Sequence, residues 1–191
     1  MAGTSAPATT RRPCSCARAS YDGAEPSGHS VTTLNLLRLH TLTQDARWRV
    51  RAERSLASVG RALKHGGAGM PKMASALDYY LDDVVEIVLV RAPGDEAGAS
   101  ALLAVLRGTF VPNRMLAVVD GEEGAAAVAE RLPLVAGKGP RAGRSTAFVC
   151  FEGVCQLPTS EPEALRAQLL RMPARPATTP APAPVARPPG P

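Results

Sequence analysis

The sequence has few cysteines and no long apolar run. Four cysteines in 191 residues do not indicate a disulfide-stabilised secreted scaffold. No segment approaches the roughly 18 consecutive apolar residues of a membrane-spanning helix. Residues 1–20 also lack the apolar core of a secretory signal. These absences predict a protein with no membrane partner, and a reducing cytoplasm is the expected compartment.

The two ends of the chain lack the large apolar side chains that a folded core needs. Residues 1–20 are mainly Ala, Ser, Thr, Pro and Arg, and residues 173–191 are rich in Pro and Ala. Such compositions predict a disordered leader and an extended, disordered tail. The middle is left to form the core, and a domain of about 150 residues buries roughly 70% of its unfolded surface.

The net charge of +5 comes from the ends. Neither end carries an acid, and together with the adjoining Arg171 they hold six arginines. Without those six, the net charge of the middle falls from +5 to −1. This balance gives no reason to expect nucleic acid as a partner.

Residues 21–82 read as a helical segment. A polar loop containing Ser27 and Ser30, each a suitable N-cap, leads into the first apolar helix. Apolar residues at helical spacing then predict three helices, over 31–43, 46–64 and 71–81. Asp45 is a candidate cap for the second helix.

Residues 83–172 read as a small α/β segment. Strands are predicted over 84–90, 115–119, 146–150 and 154–157, and the first is nearly continuous in its apolarity, as a strand buried on both faces is. Helices are predicted from the Asp95 cap to 107, over 122–131 and over 163–171. Ser160 and Glu163 have the spacing of a capping box for the last of these. The alternation predicts a partly parallel sheet, and the whole chain is a mixed α+β protein.

The opening loop carries the candidate acid–base residues. Asp22 and Glu25 are a pair of carboxylates of the kind that sugar chemistry uses. Carboxylates near a helix N-terminus also simply stabilise the helix dipole, and the sequence alone favours that structural role. His29 follows them and either transfers protons or only occupies the first turn of the helix.

Cys150 and Cys155 flank a predicted two-residue turn, Glu152-Gly153. A hairpin there places the two cysteines opposite each other at a non-hydrogen-bonded position, with Cα atoms about 4.5 Å apart. A disulfide, a reversible thiol pair and half of a metal site are the functional alternatives. The favoured alternative is that two buried cysteines pack as small hydrophobic residues.

Other motifs indicate no cofactor and no metal. Cys14 and Cys16 have no second pair at a zinc-site spacing. The glycine-rich segment 137–146 lacks the Lys-Ser/Thr ending of a phosphate-binding loop, and a strand follows it rather than a helix. Asp120 lies at the carboxyl end of a predicted strand, where α/β sheets bind ligands, but an Asp-Gly pair favours a turn or cap role.

Two motifs give the chain a family resemblance: YDGAEPSGHSVTTLNLLRL at the start of the folded region and STAFVCFEGVCQLPTSEPEAL near its end, with PNRMLAVVDG between them. On these motifs the chain resembles the C-terminal part of the thioredoxin-domain-containing YyaL family, which includes spermatogenesis-associated protein 20. The resemblance covers about residues 21–170.

The resemblance implies a fold and a place for the loop. Family members look like a thioredoxin-like domain, then an (α/α)6 toroid similar to six-hairpin glycosidases and sugar epimerases, then a small α/β segment. The helical segment would be the last hairpins of the toroid. The loop with Tyr21, Asp22, Glu25 and Ser27 would face the toroid's central pocket, beside His29, where the family usually has Asn.

Three functional hypotheses follow. The first is a C-terminal part of a YyaL-like protein without catalysis of its own. The second is a subunit that supplies one wall of a sugar-binding pocket, with the missing N-terminal part or a partner chain supplying the rest and carbohydrate as the ligand. The third is a thiol redox or interaction module built on Cys150 and Cys155. Whether the chain is an enzyme stays open.

A bundle completed by other helices would leave part of the helical face uncovered when this chain is alone. We expect that exposure at the apolar positions Val31, Leu34, Leu37, Trp48, Leu56 and Leu63.

Overall fold

A computed structural model of the chain describes residues 21–151 and 153–171. The described α-helices are α1 (Gly28–Thr43), α2 (Ala46–Gly66), α3 (Pro71–Leu81), α4 (Glu96–Gly108), α5 (Gly121–Ala129) and α6 (Pro162–Leu170). The described strands are β1 (Val85–Arg91), β2 (Arg114–Asp120), β3 (Thr146–Phe151) and β4 (Val154–Cys155). This is the mixed α+β composition that the sequence predicts. The expected leader and tail lie outside the described residues.

Local capping sets the limits of α1 and α2. The Ser27 hydroxyl accepts a hydrogen bond from the backbone N–H of Ser30 at 3.2 Å, so Ser27 is the N-cap of α1. Gln44 adopts the left-handed conformation that ends α1. Asp45 then caps α2 as predicted, accepting from the backbone N–H of Arg47 at 2.9 Å. A connection of only two residues makes α1 and α2 neighbours in a helical hairpin.

The three helices bury a core of their own, formed by Leu34, Leu37, Ala52, Leu56, Val59, Met70, Met73, Ala76 and Tyr79. The expected exposure of the helical face is therefore wrong for three of its six positions, because Leu34, Leu37 and Leu56 are buried within this chain. Val31, Trp48 and Leu63 are half-buried. Packing of α1 against both α2 and α3 buries apolar side chains that were expected to need further helices to cover them.

The sheet has the strand order β2-β1-β3-β4. Strand β1 pairs with β2 in parallel and with β3 in the antiparallel sense, and β4 pairs antiparallel to β3. The prediction of a partly parallel sheet is confirmed. Strand β1 lies inside the sheet, between β2 and β3, and both its faces are covered. This position explains why its sequence is almost entirely apolar.

Each face of the sheet has its own core. Ile87 and Leu89 of β1 pack on one face, which α4 and α6 cover through Leu102 and Leu165. Val88 packs on the other face with residues of α5 and of a short 3-10 turn, Pro133–Val135. Leu42 of α1 and Val84 also pack against this second core, so the helical segment adjoins that face.

Two predicted details near the end of the folded region are wrong. Strand β4 ends at Cys155 instead of continuing to residue 157. Helix α6 begins one residue later than a capping box requires, with Glu161 in the cap position and no side-chain cap bond. The Ser160 hydroxyl lies 3.2 Å from the Thr146 hydroxyl instead, so it links the chain to β3.

Candidate functional site

Asp22 is the buried centre of the opening loop, with 5% of its surface exposed. Its Oδ1 accepts a hydrogen bond from the backbone N–H of Ser27 at 2.8 Å. Its Oδ2 accepts from the backbone N–H groups of Lys72 at 2.8 Å and Met73 at 3.2 Å. The N–H groups of Lys72 and Met73 lie in the first turn of α3, where the helix itself offers them no acceptor. Asp22 therefore caps α3 from a distant loop while it also fixes the entry to α1.

The hydrogen bonds of Asp22 decide its charge. Burial alone raises the pKa of a carboxyl group, because the charged form loses its hydration. Donation from the Ser27 backbone, the Ser30 and Ser27 hydroxyls and the Met73 backbone outweighs burial and lowers the pKa of Asp22 to about 2. The group is thus a carboxylate at neutral pH, with both oxygens engaged.

The other loop candidates do not converge on Asp22 as a set. Ser27 contacts it directly, but Tyr21 and Glu25 are exposed, Tyr21 by 68%. The Tyr21 ring lies against Gly69, where an added Cβ would stand 2.9 Å from a ring carbon. The loop therefore brings together Asp22 and Ser27, while Tyr21 and Glu25 remain at the surface.

His29 belongs to a separate polar network between α1 and α2. Its Nε2 lies 2.6 Å from the Ser55 hydroxyl, which also contacts the Thr33 hydroxyl. Sequence reasoning missed Ser55, because nothing in the local pattern of α2 marks it as the partner of a residue in α1. A serine nucleophile needs a base oriented by a third group. His29 Nδ1 is buried without a partner among the described residues, and the hydrogen bonds that the network does make link α1 to α2.

Cys150 and Cys155 form a disulfide across the terminal hairpin, with an S–S distance of 2.08 Å, so the favoured expectation that they only pack as small hydrophobic residues is wrong. They are register partners of β3 and β4, as the predicted turn requires. Gly153, in the turn, has a φ of 79°, a conformation that glycine adopts most easily. Cys150 is only 1% exposed, whereas Cys155 on the short outer strand is exposed.

A cavity of about 330 Å³ lies beside this disulfide. Both cysteines line it, together with Glu86 and Lys138. Strand register places Glu86 of β1 directly opposite Cys150 of β3. Glu86 was not among the candidates taken from the sequence, although it is the single charged residue in the apolar run VVEIVLV.

Burial shifts the pKa of both Glu86 and Lys138. Burial raises the pKa of Glu86, while the positive charges of Lys138 and His40 act in the opposite direction. Burial likewise lowers the pKa of Lys138. Perturbed acids beside a cavity are common at functional sites.

A second crevice, of about 940 Å³, lies at the carboxyl ends of β1 and β2. Asp120 ends β2 there and forms an exposed ion pair with Arg91 at 2.5 Å. It precedes α5 but makes no side-chain cap bond. Asp95, on the same crevice, caps α4 by accepting from the Gly98 backbone, and it accepts from the Ser145 backbone as well. These carboxylates therefore have local structural partners.

The described residues contain no group of three His, Cys, Asp or Glu side chains placed to hold a metal ion. Over the same residues, none of the helices is both long and apolar enough to span a membrane.

Three relatives can be compared with the chain. It is 29% identical over 147 residues to spermatogenesis-associated protein 20 of Homo sapiens, an alignment that covers 76% of this chain and 18% of that protein. The Rattus norvegicus protein of the same name is 29% identical over 145 residues. The uncharacterized protein B0495.5 of Caenorhabditis elegans is 28% identical over 137 residues, again over 18% of its length. The chain thus spans less than a fifth of these curated relatives. No protein-family model and no solved structure matches it.

Proposed function

We propose, from the relationship of this chain to the spermatogenesis-associated protein 20 family, that it acts as part of a larger YyaL-like protein and has no catalysis of its own. The chain aligns with only 18% of the length of the human relative, which supports a role as one part of a larger protein. In it, residues 21–82 are the last hairpins of an (α/α)6 toroid, residues 83–172 are the end segment, and a reducing cytoplasm is the compartment.

The state of Asp22 is the observation that carries the proposal. A catalytic acid must hold a proton near the working pH, and a base must have a free lone pair aimed at its substrate. Asp22 is ionised and receives backbone N–H groups on both oxygens. Glu25 is exposed and so is not held against it. A pocket needs groups fixed on several sides, and this loop provides one side.

The test is an activity screen of the full chain with reducing sugars, oligosaccharides and aryl glycosides. We expect turnover no greater than that of buffer. Asp22→Asn and Glu25→Ala variants provide the comparison. Turnover in the unmodified chain that disappears in both variants would overturn the proposal and favour the sugar-pocket alternative, which stays a prediction.

The partner in this proposal is the rest of such a protein, either on the same polypeptide or as a separate chain. Support comes from apolar side chains that the helical segment leaves exposed: Leu39 by 38%, Val50 by 43% and Leu81 by 50%. Co-expression with the remaining residues of a relative should yield a complex by size-exclusion chromatography. Leu39→Ser with Val50→Ser should weaken that complex. Equal elution of both versions with the partner would contradict a role for these side chains in the complex.

A second candidate function rests on a different observation, the disulfide between Cys150 and Cys155. One cysteine is buried and the other exposed, and an acid lies on the same cavity. We propose a reversible thiol pair. Equilibration of the full chain in glutathione buffers of graded ratio, followed by acid quenching and mass spectrometry, should show a two-hydrogen mass change on the peptide containing both residues. Free thiols at every ratio would remove this candidate.

A further inference from the structure

The exposed and buried halves of the disulfide differ in their access to an attacking thiol. Thiol–disulfide exchange begins when a thiolate approaches one sulfur in line with the S–S bond. Cys155 lies on the outermost strand and is exposed, whereas Cys150 is 1% exposed beneath it. The accessible point of attack is therefore Cys155, which makes Cys150 the sulfur that leaves.

The leaving sulfur needs a partner for its negative charge. Cys150 is buried, and burial disfavours a thiolate unless a proton or a positive charge is supplied. Glu86 is the register partner of Cys150 on the neighbouring strand, so their side chains point to the same face of the sheet. The cavity that both cysteines line also reaches Glu86 and Lys138.

We propose that Cys150–Cys155 is an exchange site for a dithiol or disulfide substrate, in which Cys155 receives the attacking sulfur and Glu86 exchanges a proton with the Cys150 sulfur. The proposal deepens the second candidate function and rests on it. Glu86 acts as a positioning and proton-donating residue, and the substrate is defined by its chemistry alone: two thiols close enough to form a disulfide.

The reductive direction balances as follows. One thiolate of the dithiol attacks Cys155 Sγ, the Cys150–Cys155 bond breaks, and its electron pair goes to Cys150 Sγ. That sulfur takes the proton of the Glu86 carboxyl group. The second thiolate of the dithiol attacks the first sulfur of the same dithiol, which is bonded to Cys155 in the mixed disulfide. Cys155 is released as a thiolate and takes a proton from water. The dithiol loses two electrons and two protons, the cysteine pair gains them, and Glu86 recovers its proton from solvent.

The surroundings of Glu86 suit this role. Burial raises the pKa of Glu86, so its carboxyl group keeps a proton to higher pH than an exposed glutamate does. The charged and titratable groups that face Glu86 or line its two adjoining cavities are His40, Arg49, Tyr79, Tyr80, Asp82, Asp83 and Lys138. Lys138 donates a hydrogen bond to the Leu134 carbonyl at 2.7 Å and so is anchored beside the cavity.

The first experiment measures reduction of the full oxidised chain by dithiothreitol from pH 5 to 9, with each rate divided by the concentration of dithiothreitol thiolate. We expect this corrected rate to fall as pH rises through the titration of Glu86, because an adjacent carboxylate opposes the new thiolate. Glu86→Gln should not show this fall in the corrected rate, and near pH 5 it should react about tenfold more slowly than the unmodified chain. The factor is smaller than a general acid usually contributes, because a thiolate already leaves readily.

Glu163→Gln is the matched control, since Glu163 is an exposed glutamate in the first turn of α6. Its corrected profile should follow that of the unmodified chain. A step that persists in Glu86→Gln would overturn the role of Glu86 while leaving the reversible thiol pair intact. A chain whose disulfide never forms or never exchanges would instead remove the second candidate function itself.

The second experiment needs no change at Glu86 and so does not depend on how that variant folds. Oxidised chain is treated with a limiting amount of a monothiol, quenched with acid and mapped by peptide mass spectrometry. The mixed disulfide should lie mainly on Cys155. In a chain that also carries Cys14→Ser and Cys16→Ser, Cys150→Ser should leave a thiol that reacts rapidly with an aromatic disulfide, and Cys155→Ser a thiol that reacts slowly. A mixed disulfide mainly on Cys150 would reverse the proposed order of attack and overturn it.

Discussion

The Asp22 carboxylate accepts a hydrogen bond of 2.8 Å from the backbone N–H of Lys72, 50 residues later in the chain. The same oxygen accepts from Met73, and the Asp22 backbone N–H donates to the Gly69 carbonyl at 3.0 Å. The opening loop is thereby fixed to the start of α3. A buried carboxylate with such partners organises the helical segment, and its loss should be measurable as stability.

Replacing Asp22 should destabilise the chain. Asp22→Ala leaves three backbone N–H groups, two of them buried, without their acceptor, and each charge-assisted hydrogen bond contributes more than a neutral one. We expect the free energy of unfolding to fall by about 3 kcal/mol. Urea denaturation followed by circular dichroism measures it. Glu25→Ala, an exposed neighbour in the same loop, should change it by less than about 0.5 kcal/mol. Equal effects of the two changes would contradict this assignment.

Lowering the pH should remove the stabilisation that depends on the negative charge of Asp22 in the unmodified chain. The folded pKa of Asp22, about 2, is below its ordinary value of 3.8, so the folded state binds the proton more weakly. The stabilisation is complete above pH 3.8 and is lost as pH falls toward 2. Its size is about 2 kcal/mol for a shift of this extent. The difference in unfolding free energy between the unmodified chain and Asp22→Asn should shrink by that amount from pH 6 to pH 2. A constant difference would mean that the carboxylate is not the source.

Ser55 should contribute to the docking of α2 on α1. Ser55→Ala removes the partner of His29 Nε2 and one of the two partners of the Thr33 hydroxyl, which still donates to the His29 carbonyl. We expect a loss of about 1 kcal/mol in unfolding free energy, because the half-buried His29 Nε2 loses its hydrogen-bond partner. Ser58→Ala, whose hydroxyl bonds only to the nearby Ser55 carbonyl, is the matched control with a loss below about 0.5 kcal/mol. A larger effect at Ser58 than at Ser55 would be inconsistent with this network.

Local signals gave much of the fold. Pro71 at the first position of α3 and the apolar run of β1 were sufficient to place both elements within a residue. The hairpin at Gly153 follows from turn chemistry, so the opposition of Cys150 and Cys155 was predictable as well. Ser160 shows the limit of such signals, because tertiary contact with Thr146 displaced the expected cap.

The candidate site was less accessible to sequence reasoning. The sequence places Asp22 near the N-terminus of α1, but two of its three backbone donors are in α3, and no local pattern connects a loop to a helix so far along the chain. Glu86 becomes a candidate only through the antiparallel register, which places it opposite Cys150. Register depends on the whole sheet, and a shift of one residue would have moved Glu86 to the opposite face.

The disulfide should add only modest stability to the fold. Cys150 and Cys155 are five positions apart, so the bond closes a very small loop and restricts the unfolded chain little. The chain-entropy relation gives about 2 kcal/mol for a loop of this length. Urea unfolding of the oxidised and the reduced chain should differ by no more than that amount. A Cys150→Ser, Cys155→Ser double variant should be insensitive to reductant. A difference above about 4 kcal/mol would assign the bond a mainly structural role. A small difference in unfolding free energy is what a reversible thiol pair requires, because the hairpin must stay folded after each reduction for the disulfide to form again.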